Sequence, residues 1–344
     1  MLLPKYPNCA MLLLTWLLFL VGLSHAQLVP KVVVVTTFPP EFVRWKERLQ
    51  LKEELQFPGG AGSKVLCWNS ELEVLGMVTG ETSKHAAQSV TALGYDQRFD
   101  LRKSAWLLAG IAGVDPLVGT VGSVTWGQRL VDGTAVKFID PREMPKAWPS
   151  GWLPLHRNEP YGLPLPSPAE QSTMVVELNS RLVQWAYDLT HSMKLPDSED
   201  FQELRLRYNT SAARAPPKVM LGDTLSTDVF WTGSESAGWA RNWTKYWLPA
   251  GNSRSEGRLS TSAMEDFAVA EALVGLQRSG RSFAGSNALL VLRSASNFVE
   301  PPPGQKPVAE LPFGLDTACE AAYVVGEVVV KELIRRADLQ VLYG

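Results

Sequence analysis

The sequence predicts a single α/β domain built on a central mixed, twisted β-sheet flanked by helices. Three observations carry that expectation. Lys31-Val32-Val33-Val34-Val35-Thr36-Thr37 contains an uninterrupted β-branched run, the pattern of a strand buried on both faces. Further short apolar runs, bounded by turn residues, alternate with segments of helical character. No internal repeat divides the 344 residues, and no linker is long enough to split them, so one domain is the simplest account.

The elements follow in order. Phe38-Pro39-Pro40 ends the first strand, and a helix is expected from Glu41, with Pro40 suited to its first turn. Residues 64–68 and 72–79 read as a pair of strands, and residues 83–93 as a helix stopped at Gly94. Residues 105–109 form a buried strand leading into a Gly110-Ile111-Ala112-Gly113 turn. Residues 119–125 and 134–139 read as further strands, parted by Asp132-Gly133. Eight prolines between 141 and 168, with Trp148 and Trp152 among them, predict a long irregular insertion, a kind of segment that often covers a site. One long helix is expected over 172–193, a second over 198–208 and a strand over 217–222. After a Gly/Ser/Arg-rich loop over 249–261 come a helix over 264–278, stopped at Gly280, and a core strand over 288–293. A rigid Pro301-Pro302-Pro303-Gly304 loop and a helix over 316–337 complete the chain.

Composition narrows the function. Apolar residues are 45% and charged residues 20%, and 35 acids against 33 bases leave a net charge of −2. That is a globular composition rather than a disordered one, and it lacks the electrostatic footprint of a nucleic-acid binder. A polytopic membrane protein is excluded too, because each span needs about 20 consecutive apolar residues and only one segment approaches that. This segment is N-terminal. Lys5, the apolar run 11–21 and the small residues of Ser24-His25-Ala26 form a secretory signal pattern over 1–26, with the mature domain at 27–344. A retained anchor is the other reading. The sequons Asn209-Thr210-Ser211 and Asn242-Trp243-Thr244 agree with export, so a secreted or cell-surface glycoprotein is expected. Past the signal only Cys67 and Cys319 remain, enough for one disulfide at most. No His or Cys spacing suggests a metal site, and no cofactor is expected.

The chemistry-bearing residues lie where strands meet polar segments. Val32–Val35, Glu41, Gly110-Ile111-Ala112-Gly113, Ser226-Thr227-Asp228-Val229-Phe230, Met264-Glu265 and Arg293-Ser294-Ala295-Ser296-Asn297 occur in this order. The order resembles the nucleoside phosphorylase/nucleosidase superfamily and, within it, the fungal-type purine nucleoside permease family, over nearly the whole mature chain. The resemblance implies a nucleoside phosphorylase-like fold and a purine nucleoside ligand. It implies that Glu41 activates water, which is a poor nucleophile until a carboxylate takes its proton. Read by position alone, Glu41 is a first-turn glutamate favoured by the helix dipole. The resemblance also implies that Glu265 accepts hydrogen bonds from the ribose 2′ and 3′ hydroxyls above Met264. Ser262-Ala263-Met264-Glu265 fits a capping box as well, and one carboxylate cannot fully serve both purposes. Phe230 aligns with the aromatic that stacks on the base, and Trp231 stands ready to offer backbone hydrogen bonds beside it.

Two departures matter. Where nucleosidases that release adenine carry an aspartate, this chain has Asn297. An amide is no general acid at neutral pH, but it donates to one purine edge atom and accepts from another. That resembles phosphorylases preferring 6-oxopurines, and makes Asn297 both a base-binding and a candidate catalytic residue. Leu108 and Ile111 stand where phosphorylases place an Arg and a Ser around phosphate, so that anion site looks dismantled unless Arg44 or Arg129 substitutes. The expected function is purine nucleoside binding outside the membrane with hydrolysis of the N-glycosidic bond. The alternative is a non-catalytic binding component that passes nucleosides to a separate transporter, since one apolar run cannot form a transport pathway. The superfamily's habits also imply a homo-oligomer.

Overall fold

The computed structural model describes residues 27–248, 258–309 and 314–336. The expected signal segment and most of the 249–261 loop lie outside these. In chain order the elements are β1 (Val32–Thr36), α1 (Pro39–Arg48), β2 (Glu53–Gln56), β3 (Val65–Asn69), β4 (Val74–Val78), α2 (Ser83–Gly94), β5 (Ala105–Val114), β6 (Val124–Asp132), β7 (Val136–Phe138), β8 (Trp152–Pro154), α3 (Pro168–Met174), β9 (Val175–Glu177), α4 (Ser180–Thr190), α5 (Glu199–Leu206), α6 (Ser211–Arg214), β10 (Val219–Ser226), α7 (Ser234–Trp247), β11 (Leu259–Ala263), α8 (Asp266–Arg278), β12 (Leu289–Phe298) and α9 (Leu315–Arg335).

Ten strands form one mixed sheet in the order β11-β10-β6-β12-β5-β1-β4-β3-β2, with β9 added on β6. β11 also pairs antiparallel with β5, so β5, β12, β6, β10 and β11 close into a ring. The predicted fold class is therefore the observed one. The four valines of β1 are fully buried between β4 and β5, each stabilising the fold by about 1.5–3 kcal/mol. α9 lies against β5 and β12 and touches α1, where the Trp45 and Tyr323 rings meet edge to face at 5.0 Å.

Several local expectations are corrected. Gly110-Ile111-Ala112-Gly113 is no turn but the outer half of the ten-residue strand β5, paired with β12 along its length. Asn297 likewise sits in β12, which runs past Arg293 to Phe298. Residues 119–123 form a turn in which Gly122 takes a φ of 80°, so the strand expected at 119–125 begins only at Val124 and continues to Asp132. The single helix expected over 172–193 is broken. The β-branched Val175 and Val176 pair with β6, and the Asn179 side chain caps a new helix by accepting from Arg181 and Leu182. Gly94 is the last residue of α2 rather than a left-handed stop, and a Cβ there would overlap the Leu276 side chain of α8. The unforeseen β2, Glu-Glu-Leu-Gln, is a charged edge strand, a usual way of discouraging edge-to-edge association.

The Pro-rich insertion contributes β8, which pairs with β7 just ahead of it, and an irregular stretch that packs on α7. Trp239, Trp243 and Trp247 recur every four residues along α7, and Trp152 stacks on Trp239 with ring centroids 4.7 Å apart. Cys67 and Cys319 are both buried free thiols.

Candidate active site

The register of β12 on β5 builds the site. Arg293 stands opposite Gly110 and Asn297 opposite Gly113, with an irregularity between Ala295 and Asn297. Both glycines provide room. A Cβ on Gly110 would overlap the Glu41 carboxylate and the Arg293 guanidinium, and one on Gly113 would stand 3.2 Å from Asn297 Nδ2.

Glu41 enters from the first turn of α1. Phe38 precedes that helix without any side-chain cap, and Pro39 and Pro40 fill its first positions. Instead, Glu41 Oε2 accepts from the Thr37 N–H at 2.7 Å and the Thr37 hydroxyl at 2.9 Å. Its Oε1 accepts from the Ile111 N–H at 2.7 Å. The Ile111 carbonyl in turn accepts from Arg293 Nη1 at 3.0 Å, and the Ala112 carbonyl from the Ser296 hydroxyl at 3.4 Å. The backbone of the Gly-Ile-Ala-Gly segment thus links Glu41 to β12.

Glu265 precedes α8 but makes no capping hydrogen bond, and Ser262 belongs to β11, so the capping box does not form. Its carboxylate turns inward, where Oε1 accepts from the Thr82 N–H at 3.0 Å and Oε2 from Arg293 Nη2 at 2.9 Å. Arg293 also donates through Nε to Asp266 Oδ1 at 2.7 Å, and its Nη1 lies 3.9 Å from Glu41 Oε1. Three buried carboxylates therefore share one buried guanidinium. Burial raises the pKa of Glu41, with Arg293 opposing it. Burial raises that of Glu265 to about 7; Arg293 opposes this too, and the Glu41 charge adds to it.

Asn297, Gly113, Phe230, Trp231 and Met264 line one small cavity of about 30 Å³. That is room for water rather than for a purine. Phe230 is 51% exposed on the segment between β10 and α7, and Trp231 contacts Trp239 edge to face. The Asn297 side chain is engaged with neighbours: Oδ1 accepts from the Ser296 hydroxyl and Nδ2 donates to the Phe298 carbonyl, both at 3.0 Å. Trp148 and Trp152 do not line this cavity.

The structure thus brings all the predicted site residues into two adjoining groups, around Arg293 and around Asn297. Neither arginine weighed as a phosphate ligand is available. Arg44 pairs with Glu320 and Asp316, while Arg129 holds Asp223 through two hydrogen bonds of 2.8 and 2.7 Å. Sequence reasoning missed Arg293 as the centre of the charge cluster, though its segment stood out. It missed Asp266 and Thr82 as well; only the adjacency of Glu265 and Asp266 signalled the former. Among the described residues no His/Cys/Asp/Glu group could hold a metal ion, and no helix is long and apolar enough to cross a membrane.

The sequence profile described as "Purine nucleoside permease (NUP)" matches residues 29–340. A probable purine nucleoside permease of Schizosaccharomyces pombe is 29% identical over 278 residues, covering 78% of each chain. A purine nucleoside permease of Candida albicans is 25% identical over 328 residues, covering 92% of this chain and 78% of that one. Among solved structures, the 5′-methylthioadenosine/S-adenosylhomocysteine nucleosidase of Neisseria meningitidis superposes with a TM-score of 0.51 at 16% identity, over 88% of this chain and 99% of that one. The futalosine hydrolase of Helicobacter pylori gives 0.52 at 15% identity, over 88% and 98%. Likenesses at this level concern the fold.

Proposed function

The chain belongs to the purine nucleoside permease family, and from that premise we propose that it binds a purine nucleoside at the Arg293 cluster and hydrolyses its N-glycosidic bond. One observation carries this reading, the acceptor capacity left on the two glutamates. An ionised carboxylate offers about four lone-pair sites. Glu41 spends three, on the Thr37 N–H, the Thr37 hydroxyl and the Ile111 N–H. One remains for a water. Glu265 spends one on each oxygen, on Thr82 and Arg293, which leaves one per oxygen for a vicinal diol.

In the reaction the water oxygen bonds to C1′ as the C1′–N9 bond breaks, Glu41 takes the water proton and later returns it to solvent, and the purine leaves as the free base after taking a proton from solvent. The developing positive charge on the sugar is stabilised by the carboxylates beside it. Asn297 holds the base edge through its amide, and Phe230 covers the ring. For a base to enter, the segment carrying Phe230 must swing outward, which its exposure allows. The site is proposed to work outside the membrane after export, and the exposure of both sequon residues, Asn209 and Asn242, agrees with that.

The test is base release. Purified protein is incubated with inosine, guanosine and adenosine, with and without phosphate, and free base is followed by chromatography. Release without phosphate is expected, and Glu41→Gln should lower turnover by about 10²–10⁴ while changing binding little. Tight binding with no release establishes the second reading, a non-catalytic binding component, which the family's name favours. Release that strictly requires phosphate overturns both.

A further inference from the structure

We propose that Thr82 is a specificity-determining residue whose hydroxyl binds the 5′-hydroxyl of the nucleoside. The inference rests on the function proposed above and adds a residue and a sugar position to it.

Thr82 is unusual in two independent ways. It is β-branched, yet its φ is 79°, a region such residues rarely occupy and one that persists only where the surroundings enforce it. Its Oγ1 is buried and has no hydrogen-bond partner among the described residues. Buried hydroxyls are normally satisfied, and an exception calls for an explanation. The backbone half of the explanation is structural: this conformation aims the Thr82 N–H at Glu265 Oε1. The hydroxyl half is not met by any protein group described.

Geometry supplies the missing partner. Arg293 stands between Glu41 and Glu265 Oε2, so the sugar's C1′, attacked by the Glu41 water, lies on the Oε2 side. The 2′-hydroxyl then meets Oε2, and the 3′-hydroxyl meets Oε1. Thr82 holds Oε1, so C4′ and C5′ project past Thr82. There an open cleft of about 860 Å³ begins, lined by Thr37, Phe38, Gly80 and Thr82 and running out to Lys64 and Lys84. A 5′-hydroxyl at its mouth forms one hydrogen bond with the Thr82 hydroxyl, as donor or as acceptor. A 5′-methyl group leaves that hydroxyl orphaned.

The experiment measures dissociation constants for inosine and 5′-deoxyinosine by calorimetry, every protein carrying Glu41→Gln to slow turnover and the one with Thr82 intact serving as wild type. The wild type should bind inosine about tenfold more tightly, the effect of one satisfied buried hydroxyl. Thr82→Val keeps the shape and branching and should bring the ratio close to one. Thr82→Ser should retain most of it. A purely structural role for Thr82 would weaken both ligands equally and leave the ratio at its wild-type value, which overturns the inference. If Thr82→Val does not fold, Thr82→Ala reads the same ratio. No discrimination by wild type overturns the inference while sparing the function reading; failure of wild type to bind either nucleoside overturns both.

Discussion

Arg293 Nη2 donates to Glu265 Oε2 at 2.9 Å, with both side chains buried. The same guanidinium binds Asp266 through Nε and stands 3.9 Å from Glu41. One positive charge thus offsets up to three negative ones in a space nearly closed to water.

Removing that charge should be severe. Arg293→Met leaves three buried carboxylates without a counter-ion, and breaking such a network costs about 3–5 kcal/mol. Urea unfolding should show a loss of this size, and adding Asp266→Asn should recover part of it. A variant as stable as wild type would mean that the carboxylates take up protons at little cost.

The pH dependence has a definite sign. Glu265 has a folded-state pKa of about 7 against an ordinary 4.5, raised by burial first. A raised value means the folded state binds the proton more tightly than the unfolded chain. The stability this contributes is fully present below about pH 4.5 and is lost as the pH rises through about 7. Relative to Glu265→Gln, the wild type should lose roughly 2–3 kcal/mol between pH 5 and pH 8. Nucleoside binding should run the other way. Only the ionised carboxylate accepts from both hydroxyls, so affinity should rise about tenfold from pH 6 to pH 8. Parallel unfolding curves for the two proteins, or pH-independent binding, contradict this assignment.

Gly110 is the position where added volume should harm function most directly. Its missing Cβ is the space in which the Glu41 carboxylate approaches Arg293. Gly110→Ala should reduce stability by about 1–3 kcal/mol through overpacking and reduce turnover further by displacing Glu41. Gly113→Ala should be milder, since its Cβ would meet Val299 at 3.0 Å and the movable Asn297 amide at 3.2 Å. Equal melting temperatures and rates for Gly110→Ala and wild type would remove the close-approach account.

Strongly patterned parts of the fold were legible in the sequence, and two-body decisions were not. The valine run of β1 admits one reading, and so does the 21-residue α9. Gly-Ile-Ala-Gly looks like a turn because glycine is permissive, but here it is strand because β12 pairs alongside it. The choice at Glu265 between capping a helix and turning inward was settled by Arg293 and Thr82, residues 28 positions ahead and 183 behind. Resemblance to a family pointed to Glu41, Glu265 and Phe230. It did not supply the arginine that holds the two glutamates, because a lone Arg inside an apolar strand carries no local signature of its partners.

Asn297 offers the last test. Its Nδ2 donates to the Phe298 carbonyl, and its Oδ1 accepts from the Ser296 hydroxyl. Asn297→Asp keeps the shape but turns the donor into an oxygen facing that carbonyl. An ionised carboxylate there meets a carbonyl oxygen without a proton between them, so the group should hold its proton well above the ordinary carboxylate range. Two outcomes follow. The variant should be less stable relative to wild type at pH 8 than at pH 5, because ionisation of the new carboxyl opposes folding. It should also gain a group able to protonate a departing purine, raising adenine release from adenosine about tenfold or more relative to hypoxanthine release from inosine. Chromatography of the released bases reads the second outcome and thermal melting at the two pH values reads the first. An unchanged adenine-to-hypoxanthine ratio would separate Asn297 from the departing base and leave it a residue that only ties β12 to its own next carbonyl.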